Sequence, residues 1–162
     1  MGLNTELKIG ESIYNPEIVD IFKCGNMGGM RRSHKTKSLV LVCDHTKGFY
    51  DDLWNGDILH YTGMGKTGDQ NLYGGQNKTL LNAKSEGVSV FLFEVVVKSQ
   101  YVFLGEVELA DVPYQEEQLD IKNKLRKVWI FPIRLKSRES VYEVAEQIAE
   151  YNISEKQKRL KG

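Results

Sequence analysis

The spacing of apolar residues along the chain predicts three helices. The first covers residues 15–24, where Asn15 is a good N-cap residue and Pro16 occupies the first helical position. The second is the segment QNKTLLNAKSEG, which closes on a glycine. From residue 138 to about 158, apolar residues recur at helical spacing between Glu and Gln, which predicts a third, amphipathic helix. Helices are therefore expected at both ends of the chain and once in its middle.

Five further segments have the composition of strands. The first is continuously apolar, as in a buried strand, and the second alternates with period two. The third and fourth are joined by a tight link at Ser99-Gln100 and predict a hairpin, while Pro132 favours an edge or a bulge in the fifth. The glycine- and base-rich stretch GNMGGMRRSHKTK is predicted to be a loop. In chain order, the strand segments are SLVLVCD, DILHYT, VSVFLFEVVVK, YVFLGEVELAD and RKVWIFPIRL.

Strands interrupted and flanked by helices predict an α+β fold. We expect a sheet of about five or more mostly antiparallel strands, curled or closed into a barrel. At 162 residues, the chain most simply forms one domain. We place that domain over residues 1–136 and expect residues 137–162 to form the amphipathic helix or a linker.

Composition and charge indicate where the protein acts but identify no binding partner. The formal net charge is zero, so no overall field favours nucleic acid, although residues 23–47 contain six basic residues and one acid. Cys24 and Cys43 are too few and too isolated for a disulfide framework and are interpreted as buried free thiols. The sequence has no signal peptide and no long apolar run, and free thiols favour a cytoplasmic setting.

The stretch HYTGMGKTGDQ, residues 60–70, raises the question of a nucleotide-phosphate loop. It carries Gly65-Lys66-Thr67, but such a loop needs a glycine five residues earlier, and His60 stands there. The loop should also join a parallel strand to a long helix, whereas the strands that follow are expected to be antiparallel. The glycines must therefore serve another purpose.

Catalytic and metal-binding patterns are weak. Cys43 lies inside an apolar strand, and the three histidines lack the spacing of a metal motif. Ser33 next to His34 has no orienting third group. An acidic cluster around the first two strands has the donors for Mg²⁺; its members are Asp44, Asp51, Asp52 and Asp57. Asp57, in the NGD turn, is interpreted as a turn residue, and a metal-dependent nuclease built on the other three stays open as an alternative.

Aromatic residues surround two of these acids. Phe49, Tyr50, Trp54 and Tyr61 lie close in sequence to the Asp51-Asp52 pair. Two rings that sandwich a flat heterocycle, with a carboxylate accepting a hydrogen bond from an exocyclic amine, would suit a cytosine. The alternative is that the rings belong to the core and the acid caps a turn. Composition alone favours that second interpretation.

The combined pattern resembles a known family. The order NGD-x-x-x-YTG-x-G, then DQ-x-L, then N-[KR]-x-L is similar to the SRA (SET- and RING-associated) domain, a reader of modified cytosine in DNA. Over residues 8–136 the chain is most similar to the SRA modules of bacterial HNH-type, modification-dependent (type IV) restriction endonucleases. The resemblance implies a curved, PUA-like barrel into which a modified cytosine is flipped from the duplex.

The resemblance also implies a set of pocket residues. Tyr61 would stack on one face of the base, Thr62 would hydrogen-bond at the pocket wall, and Asp52 would accept hydrogen bonds from the Watson–Crick edge. The second stacking ring falls on Phe49 without a gap in the alignment and on Tyr50 with a slip of one residue. The glycines of TGMGKTGD would let the backbone approach the flipped nucleotide.

The resemblance further implies contacts to the DNA backbone and grooves. The basic loop before the first pocket strand would supply most of them, together with one lysine of the glycine loop and one of the middle helix. The longer insertion with which eukaryotic members probe the orphaned guanine is absent here, so weaker sequence context is expected. The expected contact residues are Arg31, Arg32, Ser33, His34, Lys35, Lys66 and Lys78.

These expectations define one function and two alternatives. The chain would bind double-stranded DNA containing 5-methylcytosine or 5-hydroxymethylcytosine without a cofactor, and would require a divalent metal only if a nuclease domain is joined to it. The last helix would lead to that nuclease domain or form a homodimer contact. The alternatives are the metal-dependent nuclease acting on modified DNA and a PUA-like module that binds RNA.

Overall fold

The computed structural model describes residue 3, residues 5–47 and residues 52–136. These residues form two helices and nine strands. In chain order the elements are β1 Ser12–Ile13, α1 Asn15–Phe22, β2 Met30–Ser33, β3 Ser38–Asp44, β4 Leu53–Asn55, β5 Ile58–Thr62, α2 Gly75–Glu86, β6 Ser89–Val97, β7 Gln100–Leu109, β8 Tyr114–Leu119 and β9 Leu125–Leu135.

All nine strands belong to one mixed sheet. Its main order is β2-β3-β6-β7-β9-β5-β4, with β1 added to β7 and β8 added to β9. The β3–β6 pairing is parallel, and the other pairings among the described residues are antiparallel. The expected α+β fold is confirmed, including the hairpin of β6 and β7. The expectation of mostly antiparallel strands also holds, with β3–β6 as the exception.

The sheet is curled rather than closed. β4 and β5 lie at one end of the strand order, yet their side chains reach strands near the other end. The Tyr61 hydroxyl on β5 donates to the Val42 carbonyl on β3 at 3.2 Å. The Trp54 indole N–H on β4 donates to a carboxylate oxygen of Glu94 on β6 at 2.9 Å. These cross-connections hold the curled sheet around an inner core.

Two hydrophobic cores, one on each face of the sheet, explain why the sequences of β3 and β6 are continuously apolar. Along β3, Leu39 and Leu41 face the inner core, whereas Val40 and Val42 pack on the outer face in a second core. The second core is covered by α1, whose Ile18 and Phe22 are fully buried. A strand buried on both faces loses the alternation of a half-exposed strand, which is why SLVLVCD shows none.

The first helix is slightly shorter than predicted. It begins at Asn15 with Tyr14 as the N-cap and ends at Phe22, where Lys23 takes the left-handed conformation. Asn15 was expected to cap the helix, but its side-chain amide instead donates to the Asn26 carbonyl at 2.8 Å. This bond ties the start of α1 to the loop that precedes β2.

Four strands were not predicted, and one proline is placed differently. β1 has two residues, β4 has three, β8 is mostly polar, and β2 begins inside the glycine- and base-rich stretch that was predicted to be a loop. β9 is not an edge strand, because it pairs with β5, β7 and β8. Pro132 is tolerated because the β8 pairing ends at Ile130 and the β7 pairing begins at Ile133, so on that side the proline lies between two partners.

Some expectations fall on residues outside the described part of the chain. They concern the C-terminal helix within residues 137–162 and the three residues Phe49, Tyr50 and Asp51. In the described part, no helix combines the length and the apolar character that crossing a bilayer requires.

Candidate functional site

Asp52 is the polar centre of the candidate site. The β4–β5 hairpin pairs Leu53 with His60, and this pairing brings Asp52 back beside Thr62. The Asp52 carboxylate accepts a hydrogen bond from the Thr62 backbone N–H at 2.7 Å. Burial raises the pKa of Asp52 above its usual value, and hydrogen bonds from Thr62 partly oppose that rise. A hydrogen bond from the Cys43 thiol also lowers the pKa of Asp52. The carboxylate is thus held in place from β3 and β5 and largely desolvated, with acceptor capacity left for a ligand.

The Thr62 hydroxyl is a second polar group beside this carboxylate. Its residue is 2% exposed, and its hydroxyl oxygen has no well-formed hydrogen bond among the described residues. The hydroxyl lies close enough to the Asp52 carboxylate to help oppose the rise of its pKa. Buried hydroxyls usually find a partner, and this one keeps hydrogen-bonding capacity for a ligand next to the carboxylate.

A cavity of about 410 Å³ opens beside Asp52. Its size falls within the range of about 300–1,000 Å³ that is typical of small-molecule sites. The loop before β2 and the glycine loop after β5 form two of its sides. The lining residues are Asn26, Met27, Gly28, Gly29, Arg31, Val42, Asp44, Lys47, Asp52, Met64, Gly65, Lys66 and Tyr101.

Positive charge and one aromatic ring complete the lining. The Arg31 guanidinium lies 5.7 Å from the centre of the Tyr101 ring and donates from Nε to the Gly28 carbonyl at 2.9 Å. Arg31 is 5% exposed, so it forms a wall of the cavity rather than an outward contact. Lys47 and Lys66 are exposed at its edge. The cavity therefore combines an acceptor inside with cations around it, as a polynucleotide ligand would require.

Tyr61 supports this cavity from behind. It is 3% exposed, and its hydroxyl donates to the Gly29 carbonyl at 2.6 Å and to the Val42 carbonyl at 3.2 Å. Gly29 and Val42 both line the cavity, whereas Tyr61 does not. In this structure the Tyr61 ring belongs to the inner core, and its stacking on a base stays a prediction.

The aromatic ring that does line the cavity was not identified from the sequence. Tyr101 stands at the start of β7, about forty residues beyond the motif, and its position depends on the pairing of β7 with β1 and β6. No local pattern marks it. The other two predicted rings, Phe49 and Tyr50, lie outside the described residues.

The basic turn between β2 and β3 lies away from the cavity. His34 and Lys35 are exposed there, but the cavity meets this hairpin at its other end, near Gly29 and Val42. Ser33 is 1% exposed, and its hydroxyl donates to the Lys23 carbonyl at 3.0 Å, so the structure does not bring it to the surface. Contacts from His34 and Lys35 to DNA stay predictions.

The remaining two expected contact residues differ in their surroundings. The Arg32 guanidinium is half-buried and donates to the carbonyls of Ser33 and Ser38, which fixes it across the β2–β3 hairpin. Lys78 is exposed on α2 and lies outside the cavity lining. Lys66 is thus the one member of the expected contact set that is both exposed and part of the cavity, whereas Arg31 lines it while buried.

The acids expected to hold a metal have other partners. Asp44 accepts hydrogen bonds from the backbone N–H and the hydroxyl of Thr46, as in a turn. Asp52 is engaged with Thr62, and Asp51 lies outside the described residues. The geometry gives no separate support to a nuclease centre made of these three acids.

The polar residues of the motif hold the glycine loop in place. Asn77 on α2 is 1% exposed; it accepts from the Met64 N–H at 2.8 Å and donates to the Met64 carbonyl at 3.1 Å. Gln70 donates to the Gly63 carbonyl at 2.7 Å and accepts from the Trp129 N–H at 2.9 Å. Arg126 on β9 donates to the carbonyls of Gly65 and Gly68. The loop that carries Lys66 into the cavity is therefore anchored from α2, its own C-terminal end and β9.

Gly63→Ala is expected to destabilise the protein by about 1–3 kcal/mol, the usual cost of overpacking. A β-carbon at position 63 would lie 2.8 Å from Asn77 Oδ1 and 3.0 Å from the Phe131 ring, so the anchored loop would have to shift. The measurement is the free energy of unfolding in urea. Gly25→Ala is the matched control, because a β-carbon there meets nothing within 4 Å. Equal stability of the two variants would contradict the prediction.

Comparison with known proteins agrees with this architecture. The model of the ScoMcrA-like SRA domain family matches residues 9–151. Among curated proteins, no relative matches the sequence.

Solved structures with the same fold include the sulfur-binding and SRA domains of ScoMcrA in complex with phosphorothioated DNA, at 18% identity and a TM-score of 0.66. That match covers 83% of this chain and 42% of the other. The type IV phosphorothioation-dependent restriction endonuclease ScoMcrA matches at 17% identity and a TM-score of 0.64, over 83% of this chain and 30% of the other. The SUVH5 SRA domain bound to methylated CHH DNA matches at 24% identity and a TM-score of 0.60, over 83% and 92%.

The family model extends from α1 through β9 and so includes the cavity, both loops that line it and the Asp52–Thr62 pair. The chain is a member of the ScoMcrA-like SRA domain family.

Proposed function

We propose that this chain is a DNA-binding module that recognises 5-methylcytosine or 5-hydroxymethylcytosine by taking the flipped base into the cavity beside Asp52. The observation that carries the proposal is a desolvated carboxylate, fixed by the Thr62 N–H, that faces a cavity of about 410 Å³ with lysines at its edge. Cytosine presents the N4 amine as a donor, whereas thymine presents an acceptor at the same place. An acceptor at Asp52 therefore favours cytosine.

The proposed contacts to the base are large enough to offset the cost of extruding it. Extruding a base costs a few kcal/mol. Stacking on an aromatic ring returns about 1–3 kcal/mol, and a pair of hydrogen bonds to the base edge discriminates by about the same amount. Tyr101 lines the cavity and is the stacking candidate among the described residues, beside the predicted rings of Tyr61, Phe49 and Tyr50. A methyl group adds about 1–3 kcal/mol, so the preference over plain cytosine is modest.

The names of the structural neighbours support a modified-DNA ligand. SUVH5 SRA structures contain methylated DNA and hydroxymethylated CG DNA, and the ScoMcrA structure contains phosphorothioated DNA together with a sulfur-binding domain. A phosphorothioate lies in the backbone rather than on a base. A cavity with a half-buried carboxylate acceptor suits a base better than a sulfur-bearing anion, which the carboxylate would repel.

The chain spans less than half of the ScoMcrA chains that it matches. We propose that it serves as the targeting part of a modification-dependent endonuclease, with an HNH nuclease domain supplying the cleavage and its divalent metal. In that arrangement the module needs no cofactor to bind DNA.

The test is a comparison of matched duplexes that differ at one position. Duplexes of identical sequence carrying cytosine, 5-methylcytosine, 5-hydroxymethylcytosine or a single phosphorothioate are compared by fluorescence anisotropy at near-physiological salt. A fluorescent base analogue beside the modified position reports extrusion. Tighter binding of a modified-cytosine duplex with a rise in fluorescence supports the proposal. Equal affinity for all four duplexes, or a preference for the phosphorothioate alone, would overturn it.

Lys66→Ala is expected to weaken binding to modified and unmodified duplexes alike. Lys66 is exposed at the edge of the cavity, where the phosphates beside a flipped nucleotide would pass. Losing one phosphate contact lowers the slope of log K against log salt by about one. Lys84→Ala is the control, because Lys84 lies on α2 outside the cavity lining. The salt dependence of binding by Lys35→Ala tests whether the duplex also contacts the basic turn between β2 and β3. An unchanged slope for Lys66→Ala would contradict the expectation.

A further inference from the structure

A second polar cluster lies next to Asp52 at the inner face of the sheet. The parallel β3–β6 pairing sets Cys43 opposite Glu94, and His45 lies in the turn that follows β3, two residues after Cys43. The Cys43 Sγ atom lies 3.6 Å from His45 Nε2, which lies 3.1 Å from Glu94 Oε2. All three potential ligand atoms are within 4.8 Å of one another. Two strands far apart in sequence thus bring sulfur, nitrogen and oxygen donors to one point.

Two of these distances match the edges of a tetrahedral zinc site, and the third, from sulfur to carboxylate oxygen, is within 4.8 Å where zinc requires about 3.5 Å. Zinc bonds of about 2.3 Å to sulfur and about 2.0–2.1 Å to nitrogen or oxygen place S and N about 3.5 Å apart and N and O about 3.3 Å apart. The observed separations of 3.6 Å and 3.1 Å therefore need shifts of only a few tenths of an ångström. A thiolate, an imidazole and a carboxylate are the three ligand types that zinc takes in proteins.

We propose that Cys43 Sγ, His45 Nε2 and Glu94 Oε2 form a zinc site in this protein. The fourth position is completed by water on the side of His45, whose side chain is 31% exposed, while those of Glu94 and Cys43 are nearly or fully buried. When zinc binds, the Cys43 S–H bond breaks, the proton passes to solvent and the sulfur bonds to the metal. Zinc stays in the +2 state throughout.

The surroundings of the cluster favour a cation. The Trp54 indole N–H donates to the same Glu94 oxygen at 2.9 Å, which orients that carboxylate as outer partners of metal ligands do. Burial raises the pKa of the Cys43 thiol well above its usual value, and the negative charges of Asp52, Glu94 and Asp44 add to that rise. A divalent ion would neutralise several of these charges at once, which His45 alone does not.

Zinc uptake by the untagged, metal-free protein tests the proposal. After equilibrium dialysis against about 1 µM Zn²⁺, we expect one zinc per chain by elemental analysis. Cys43→Ser and His45→Ala should each weaken zinc binding at least tenfold, and Trp54→Phe about tenfold. Cys24→Ser is the matched control, because Cys24 is also a buried free thiol but belongs to the outer core. His45 is partly exposed, so His45→Ala should fold and provides the test if Cys43→Ser does not fold.

Cobalt separates a built site from adventitious binding. Co²⁺ bound through Cys43 should give a thiolate-to-cobalt charge-transfer band that Cys43→Ser abolishes and Cys24→Ser keeps. Absence of zinc from the folded protein, or zinc binding that survives both Cys43→Ser and His45→Ala, would overturn the proposal. No DNA enters these measurements, so their outcome is independent of whether the module reads modified cytosine.

Discussion

Asp52→Ala is expected to lower the affinity for a modified-cytosine duplex to that for the unmodified one while the protein stays folded. The carboxylate is the acceptor that we propose for the base edge, and its hydrogen bonding, worth about 1–3 kcal/mol or roughly 5- to 150-fold in affinity, helps to offset the cost of flipping. Without it neither base would be held in the cavity, so the methyl group would no longer be read. The fold should tolerate the change. Removing a desolvated carboxylate relieves its burial cost, while leaving the Thr62 N–H unpaired costs about 1–3 kcal/mol, so the two effects largely offset.

The measurement is the ratio of the two dissociation constants by anisotropy, with thermal unfolding as the check on stability. Asp57→Ala is the matched control, because it removes the same charge from an exposed position in the β4–β5 turn, five residues away and outside the cavity. Both variants should bind unmodified DNA similarly, since each loses one negative charge. A folded Asp52→Ala protein that keeps the wild-type ratio would refute the role of the carboxylate.

Local patterns predicted the elements whose signals are local. The segment ending in Gly87 formed a helix closed by that glycine at φ +69°, as its composition required. The apolar run of β3 predicted a buried strand because burial on two faces leaves no polar positions. By contrast, β8 carries polar residues and is mostly exposed, so only its pairing along β9 makes it a strand. Such strands cannot be read from periodicity.

The parts of the site that depend on pairing between strands far apart in sequence could not be predicted. The parallel pairing of β3 with β6 puts Cys43 beside Glu94, fifty-one positions apart, and a search for metal motifs by spacing finds neither. The curl of the sheet brings Tyr101 to the cavity and turns Tyr61 toward the core. The structure brings Asp52 and Thr62 of the family motif beside each other, because the hairpin that joins them is short, and their roles in binding stay predictions.

Part of the family motif has a structural role. The resemblance drew attention to its glycines as a surface for the ligand, yet Gln70 and Asn77 next to them use their amides to bind the loop's own backbone. Buried amides in fully satisfied networks fix one conformation, because any other arrangement leaves polar groups unpaired. The shape of the cavity thus depends on residues that do not touch it.

Asn77→Ala should therefore be the most damaging single change in the glycine-loop support, with an expected loss of about 2–4 kcal/mol in the free energy of unfolding. The substitution removes three hydrogen bonds: one from the Met64 N–H, one to the Met64 carbonyl and one to the Asn71 carbonyl. Because Asn77 is 1% exposed, water cannot readily replace the amide. The backbone of the loop would be left with unpaired polar groups inside the protein.

Urea unfolding measures the loss, and limited trypsin digestion locates it, since loosening of the loop should speed cleavage after Lys66. Asn82→Ala provides the control in the same helix: its side chain makes no hydrogen bond with the described residues, so its stability should change by less than about 0.5 kcal/mol. If Asn77→Ala unfolds at the same urea concentration as Asn82→Ala and shows no faster cleavage, the loop does not depend on α2. Its shape would then have to come from Gln70 and Arg126 alone.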